Sequence, residues 1–142
     1  MIRKAKQTEL SSVMQIWLDA NIEGRPFIPI EYWQKNAETI RQILMTADIY
    51  VYETEEDHKV VGVIGLTDHF IQGLFVHRNY RNAGVGKELI NYVKLHLPYL
   101  VLHVYQKNKT GKYFYLQEGF KISKEQLDKE TDEIEYEMIW EK

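Results

Sequence analysis

Hydrophobic positions in this chain follow two periods that alternate along its length. Leu10, Val13, Met14, Trp17 and Asn21 recur at three- and four-residue intervals, which puts them on one face of a helix that Thr8 is placed to cap. "EGRPFIP" breaks that rhythm, and Pro29 suits the first position of a second helix with Trp33, Ala37, Ile40 and Leu44 along one side. The period then shortens. "DIYVYET" and "KVVGVIGL" are β-rich runs joined by the polar "EEDH", which predicts a hairpin, and a third run from His69 to Val76 extends it to an antiparallel meander. Helical spacing returns with Val85, Leu89, Tyr92, Val93 and His96, in a helix expected to run to about Leu97 and to be stopped by Pro98. "YLVLHVY" predicts a strand, and a helix follows from about Thr110 to Glu118, closed by Gly119 as a left-handed cap. In the last run Ile134, Tyr136, Met138 and Trp140 alternate with Glu133, Glu135, Glu137 and Ile139, a strand with one buried face, and "KISKE" is its expected partner. With a short opening strand the order is β-α-α-β-β-β-α-β-α-β-β, a mixed α/β chain with no repeat and no linker long enough to divide residues 1–142.

Composition narrows the function. A chain of 142 residues, 44% hydrophobic and 13% aromatic, can remove roughly two-thirds of its unfolded surface from water as one domain. Its 18 basic and 21 acidic residues are interspersed for a net charge of −3, without the basic footprint that nucleic acid or an anionic membrane requires, so a small partner is expected. No apolar run reaches the roughly 20 residues of a membrane span, and "MIRKAKQTEL" lacks a secretory h-region, which points to the cytoplasm. The chain has no cysteine, so thiolate metal sites and cysteine nucleophiles are excluded, and no His-x-x-x-His pair suggests helical zinc, so no metal is expected.

The stretch "YRNAGVGKELINYV" places two glycines at a helix start, where each costs up to about 1 kcal/mol relative to alanine. The first N–H groups of a helix lack partners and its dipole end is positive, so bare backbone there forms an anion site. Arg81 adds a guanidinium whose fork matches phosphate oxygens, which favours a pyrophosphate. A Rossmann fingerprint would need glycine at Leu89, and a P-loop would need glycine at Arg81 and Ser or Thr at Glu88. The plain alternative is a tight turn before a surface helix. Arg-x-x-Gly-x-Gly is too loose to decide between them alone.

A second constellation decides. "NKTGKYFYLQEGF" carries Asn108, Phe114, Tyr115, Gly119 and Phe120, and resembles the second signature of the GNAT superfamily of N-acetyltransferases. "LFVHRNYRNAGVG" is similar to that family's first signature, with Arg81, Gly84 and Gly86 matching its pyrophosphate loop, and the order of elements agrees over nearly the whole chain. "RPFIPIEYW" followed by "QGLFV" further resembles a small bacterial branch of the family. The resemblance implies the GNAT-like acyl-CoA N-acyltransferase fold, a mixed, mostly antiparallel sheet of about seven strands flanked by about four helices. It implies acetyl-CoA in a cleft where the fourth and fifth strands part. The backbone of Leu74, Phe75 and Val76 would then meet the pantetheine arm, Arg81, Asn82, Ala83, Gly84, Val85, Gly86 and Lys87 would hold the pyrophosphate, Asn108 would contact the cofactor, and the Tyr115 hydroxyl would lie near the sulfur. Gly111 departs from the family's usual alanine.

The chemistry is consistent with those roles. Acyl transfer from a thioester to an amine needs a neutral amine, a stabilised oxyanion and a proton for the departing thiolate. A phenol with pKa near ~10 is protonated at neutral pH, so Tyr115 suits the general acid, although a tyrosine in a helix also packs. Asn108 alone reads equally as a helix cap. The base stays open between His69, His103 and a water relay, because Gln72 stands where related proteins often carry a carboxylate. The resemblance puts the acceptor amine over the linker and second helix, where Phe27, Tyr32 and Trp33 could line the mouth and Glu23 or Glu31 attract a cation, or the aromatics could simply anchor the linker. Direct transfer in a ternary complex is expected, by a monomer or homodimer. The alternative is a CoA- or acyl-CoA-binding sensor without efficient turnover.

Overall fold

The computed structural model describes all 142 residues. Its strands are β1 (Ile2–Lys4), β2 (Asp48–Glu53), β3 (Val60–Thr67), β4 (Phe70–Val76), β5 (Tyr99–Tyr105), β6 (Lys121–Asp128) and β7 (Glu133–Glu141). The helices are α1 (Leu10–Gly24), α2 (Ile30–Thr46), α3 (Val85–Lys94) and α4 (Lys109–Gln117). The strands form one sheet in the order β1-β2-β3-β4-β5-β7-β6, in which every neighbouring pair is antiparallel except β4 with β5. A parallel pair cannot be closed by a hairpin, and α3 provides the crossover. The mixed, mostly antiparallel sheet of seven strands with four helices, in the predicted order, is therefore present.

The alternation of side chains along the central strands sends them to two cores. Ile64, Leu100, Leu102 and Met138 pack with Val85, Leu89, Ile90 and Val93 of α3 on one face. Ile49, Val51 and Val63 meet Val13 and Leu44 from α1 and α2 on the other, next to a smaller cluster of Trp17, Ile28 and Trp33. Truncating a fully buried residue such as Leu89 to alanine would cost about 2–5 kcal/mol. Gly62 on β3 sets how closely α3 can lie on the sheet: a Cβ there would stand 2.6 Å from Val85 Cγ1 and 3.1 Å from Leu89 Cδ1.

Local details depart from the pattern reading for identifiable reasons. Thr8 does not cap α1. Residues Gln7–Glu9 form a 3₁₀ turn instead, in which the Glu9 carboxylate accepts from the Lys6 amide at 2.8 Å and from both terminal nitrogens of Arg3 at 2.8 Å. Arg3 also reaches Glu53 at 2.9 Å, so this ionic cluster ties the start of α1 to β1 and β2. Pro29 precedes α2 rather than opening it, with ψ 142°. α3 ends at Lys94, short of Leu97, because His96 and Leu97 both donate to the Val93 carbonyl in a closing turn. β4 begins at Phe70, after Asp68 turns with φ 55°. Gly119, with φ 92°, closes α4 in the expected left-handed conformation, whereas β6 extends well past "KISKE" to Asp128. No helix is long and apolar enough to cross a membrane.

Candidate active site

β4 and β5 are paired only at their starts. Phe70 is opposite Val101, the Val101 amide donates to the His69 carbonyl at 3.0 Å, and no further register follows. One cause lies within β4: Gln72 is an extra residue against β3, since Gly65 faces Gly73 while the next residue, Leu66, faces Ile71. Such a bulge bends its strand and increases its twist. Beyond it the strands part, and the side of Leu74–Val76 that faces β5 has no partner strand.

The gap opens into a cleft of about 440 Å³ floored by β4 and walled by the loop before α3 and by α4. Leu74, Phe75, Val76, Arg81, Asn82, Gly84, Val85, Gly86, Lys87, Asn108 and Tyr115 all line it; of the expected cofactor residues only Ala83 does not. The loop reaches the helix through Asn82 at φ 63° and Gly84 at φ 86°. Gly84 is the N-cap of α3, in a left-handed conformation that costs other residues roughly 1–2 kcal/mol. With no side chain capping it, α3 presents its leading amides toward the cleft. Arg81 is partly engaged: its Nε donates to the Val76 carbonyl at 3.1 Å and Nη2 lies 3.4 Å from Glu23. Asn108 is the N-cap of α4, its Oδ1 accepting from the Gly111 amide at 3.0 Å. Gly111 accommodates that fold-back, since a Cβ there would stand 2.5 Å from Asn108 Nδ2.

Tyr115 projects from α4 between Phe114 and Phe120, with ring centroids 5.2 and 5.5 Å away. Burial pushes its phenol up to about 12, against a smaller opposing pull from the Arg25 guanidinium. Tyr115 also lines a second cavity, of about 180 Å³, on the α1–α2 side, and Arg25, Leu74 and Phe75 share that dividing wall.

The second cavity gathers Trp17, Asn21, Trp33, Gln72, His103, Tyr105 and Glu135 from five elements. His103 Nε2 is 3.4 Å from Glu137 Oε2 and its Nδ1 3.7 Å from Glu135 Oε1. The Tyr105 hydroxyl donates to Asp128 at 2.7 Å, and burial followed by this bond raises its pKa. Gln72 turns aside to donate to Thr67 Oγ1 at 3.2 Å.

Several expected site residues lie elsewhere. His69 stacks flat on Tyr99, with centroids 3.9 Å apart, and its Nδ1 is 3.1 Å from the Tyr99 carbonyl; it sits where β4 and β5 are still joined, so it reaches neither cavity. Phe27 packs edgewise on Tyr105 at 5.8 Å, and Tyr32 packs on Trp33 at 4.9 Å while donating to Glu130 at 3.1 Å. Both stand behind the cavity wall, and only Trp33 of the three lines it. Glu23 binds Arg78 and Arg81 on the side of the β4–β5 cleft, and Glu31 is an exposed residue of the first turn of α2. Conversely, Arg25 and Glu135 line the second cavity although the pattern read them as linker and as the polar face of a strand. No group of three or more His, Asp or Glu side chains is placed to hold a metal ion.

A parted parallel strand pair with unpartnered helix amides at its mouth, opening onto a second cavity, can hold an extended ligand that ends in an anion. Residues 46–122 match the model of the acetyltransferase (GNAT) domain. The chain is 36% identical over 124 residues, 86% of its own length and 84% of the relative's, to the peptidyl-lysine N-acetyltransferase YiaC of Escherichia coli (strain K12). Its fold superposes on the solution structure of apo-form YjaB from Escherichia coli with a TM-score of 0.86 at 24% identity, covering 99% of this chain and 96% of that one. PaiA N-acetyltransferase from Thermoplasma acidophilum, solved in complex with coenzyme A, gives a TM-score of 0.81 at 16% identity, covering 100% and 98%. The chain belongs to the GNAT acetyltransferase family. It is an acetyl-CoA-dependent N-acetyltransferase that transfers the acetyl group to an amine.

Proposed function

We propose that the acceptor is the side-chain amine of a lysine in a peptide, acetylated by direct attack on acetyl-CoA in a ternary complex. The reading rests on one observation: Arg25, Leu74, Phe75 and Tyr115 belong to the walls of both cavities, so a thioester lying along β4 is within reach of an amine entering from the other side. The relative at 36% identity bears the name of a peptidyl-lysine acetyltransferase. Glu135 in the second cavity, with Glu137 and Asp128 behind His103 and Tyr105, gives that side the sign of charge that attracts a cationic side chain, and Trp17 and Trp33 offer apolar surface for its methylene stem.

In this scheme the pantetheine arm runs beside the free edge of Leu74–Val76. The pyrophosphate takes the amides from Arg81 to Lys87, Ala83 included, and the ion pair of Arg81 with Glu23 yields to it. Asn108 holds the start of α4 against the cofactor, and the Tyr115 hydroxyl faces the sulfur. The lysine proton leaves through His103, backed by Glu135 and Glu137, or through water in the open cavity. The protein works in the cytoplasm as a monomer or homodimer, with no nucleic-acid or membrane partner.

The test is to incubate the protein with acetyl-CoA and a panel of lysine peptides, free amino acids and polyamines while following released thiol. Lysine peptides should react fastest, and Tyr115→Phe should lower kcat by about 100-fold or more, the usual scale for a proton donor or acceptor in the transition state. Coenzyme A binding without turnover on any amine would restore the sensor reading, and an unchanged kcat would remove Tyr115 from the mechanism.

A further inference from the structure

Arg25 follows the last turn of α1, its amide donating to the Asn21 carbonyl at 3.0 Å and its carbonyl accepting from Ile28 at 3.1 Å. Backbone bonds on both sides fix where the side chain starts. The guanidinium carbon lies 5.9 Å from the centre of the Phe75 ring, in the wall common to the two cavities. The chain has five arginines, and the other four, Arg3, Arg41, Arg78 and Arg81, each face a carboxylate. Arg25 faces none. Burial lowers its pKa, and the ionisable groups that act on it are the phenols of Tyr115 and Tyr105. Arg25 is half-buried, so its cation is partly withdrawn from water without a counter-ion, and a contact with the face of Phe75 offsets only part of that cost.

The proposed reaction creates an anion at this place. Attack by the amine nitrogen forms the C–N bond, and collapse of the tetrahedral adduct breaks the C–S bond with the electron pair leaving on sulfur. The nitrogen's proton departs through His103 or water, so the products are an amide, a proton and coenzyme A thiolate. The Tyr115 hydroxyl reaches the same junction and donates to the sulfur, but negative charge builds on sulfur as the C–S bond breaks, and an opposite charge held nearby stabilises it.

We propose that the Arg25 guanidinium is that opposite charge: it stabilises the departing thiolate electrostatically, beside the Tyr115 hydroxyl, and is a catalytic residue of the transfer. This rests on coenzyme A occupying the β4–β5 cleft. The other charged or titratable groups around the junction are Tyr115 on α4, Tyr105 and His103 on β5, Glu135 on β7, and Tyr80, Lys87 and the Arg81–Glu23 pair at the mouth of the β4–β5 cleft. Of the basic groups among them, Arg81 and Lys87 lie at the mouth of the β4–β5 cleft and His103 is flanked by two carboxylates. Arg25 alone is placed with its charge uncommitted.

The experiment titrates coenzyme A bound to wild type, Arg25→Gln, Arg25→Lys and Tyr115→Phe, reading the thiolate by ultraviolet absorbance against pH and binding by calorimetry on the same samples. The bound thiol of the wild type should ionise at a pKa about one unit or more below that in Arg25→Gln, a tenfold difference in thiolate population, with Arg25→Lys between them. In turnover, Arg25→Gln should lose about tenfold or more in kcat while KM for acetyl-CoA stays within about twofold, the signature of an interaction strengthened in the transition state. If Arg25→Gln binds coenzyme A and leaves the thiol pKa and kcat unchanged, the proposal is wrong while the acetyltransferase reading stands. If Arg25→Gln fails to fold, equal thiol pKa values in wild type and Arg25→Lys with the ordinary solution value overturn it instead. Failure of the wild type to bind coenzyme A overturns both.

Discussion

The two cavities that meet at Tyr115 are built by different means. The cofactor cleft is made largely of main chain: the free edge of β4, the leading amides of α3 and the capped start of α4. The second cavity is made of side chains, brought from α1, α2, β4, β5 and β7. Backbone geometry is set by a few residues close together in sequence, so the first cavity tolerates change wherever those are kept. A side-chain cavity can be rewritten one residue at a time. On the proposed assignment, one chain holds a common donor and chooses its acceptor with separate parts.

Substitutions that act on one cavity alone test this division. The largest effect should come from Gly84→Val. A β-branched side chain at φ 86° is strained by roughly 1–2 kcal/mol or more, and a loop that relaxes to escape it turns the α3 amides away from the phosphates. Coenzyme A affinity measured by calorimetry should fall by about tenfold, with the lysine-peptide KM little changed at saturating acetyl-CoA. Glu135→Gln should do the reverse, raising the peptide KM by about three- to tenfold without altering coenzyme A affinity, as expected for one charge pair at a partly exposed site. Equal effects of both changes on both ligands would mean that the cavities are not independent.

A smaller effect should come from a site remote from both. Glu9 is held at about 2, below its ordinary 4.5, first by its hydrogen bonds to Arg3. The folded-state pKa lies below the unfolded one, so this contribution is complete above about pH 4.5 and is lost as the pH falls toward 2. Melting temperatures between pH 5 and pH 2.5 should drop less steeply in Glu9→Gln, which starts lower, than in wild type. His69→Ala should have the least effect, leaving kcat and both KM values within about twofold, because the ring is stacked on Tyr99 where the strands are still joined.

The same division explains what could be read in the chain beforehand. Arg81, Gly84 and Gly86 fall within six residues and Asn108 and Tyr115 within eight, so each half of the donor cleft is a contiguous signal with its own local physics. Ala83 was the exception, since the turn that lifts Asn82 and Gly84 to positive φ leaves it outside the wall. The second cavity has no such contiguity. Glu135 looked like one of several solvated glutamates on an alternating strand, and only the β5–β7 pairing that sets it opposite Tyr105 turns it inward. Arg25 looked like linker. A signal did exist, since Arg25 has no carboxylate at helical spacing, but its meaning depends on Tyr115, ninety residues away. His69 precedes β4 yet lines neither cavity, because the strands separate only after Gln72.

Gly62 touches no ligand and belongs to no signature, yet the missing methyl at that position is what allows α3 to rest against β3. The position of α3's leading amides is therefore governed from behind, through the thickness of a helix. A change on the concealed side of the sheet can blunt the enzyme's hold on its donor while every residue in view stays as it was.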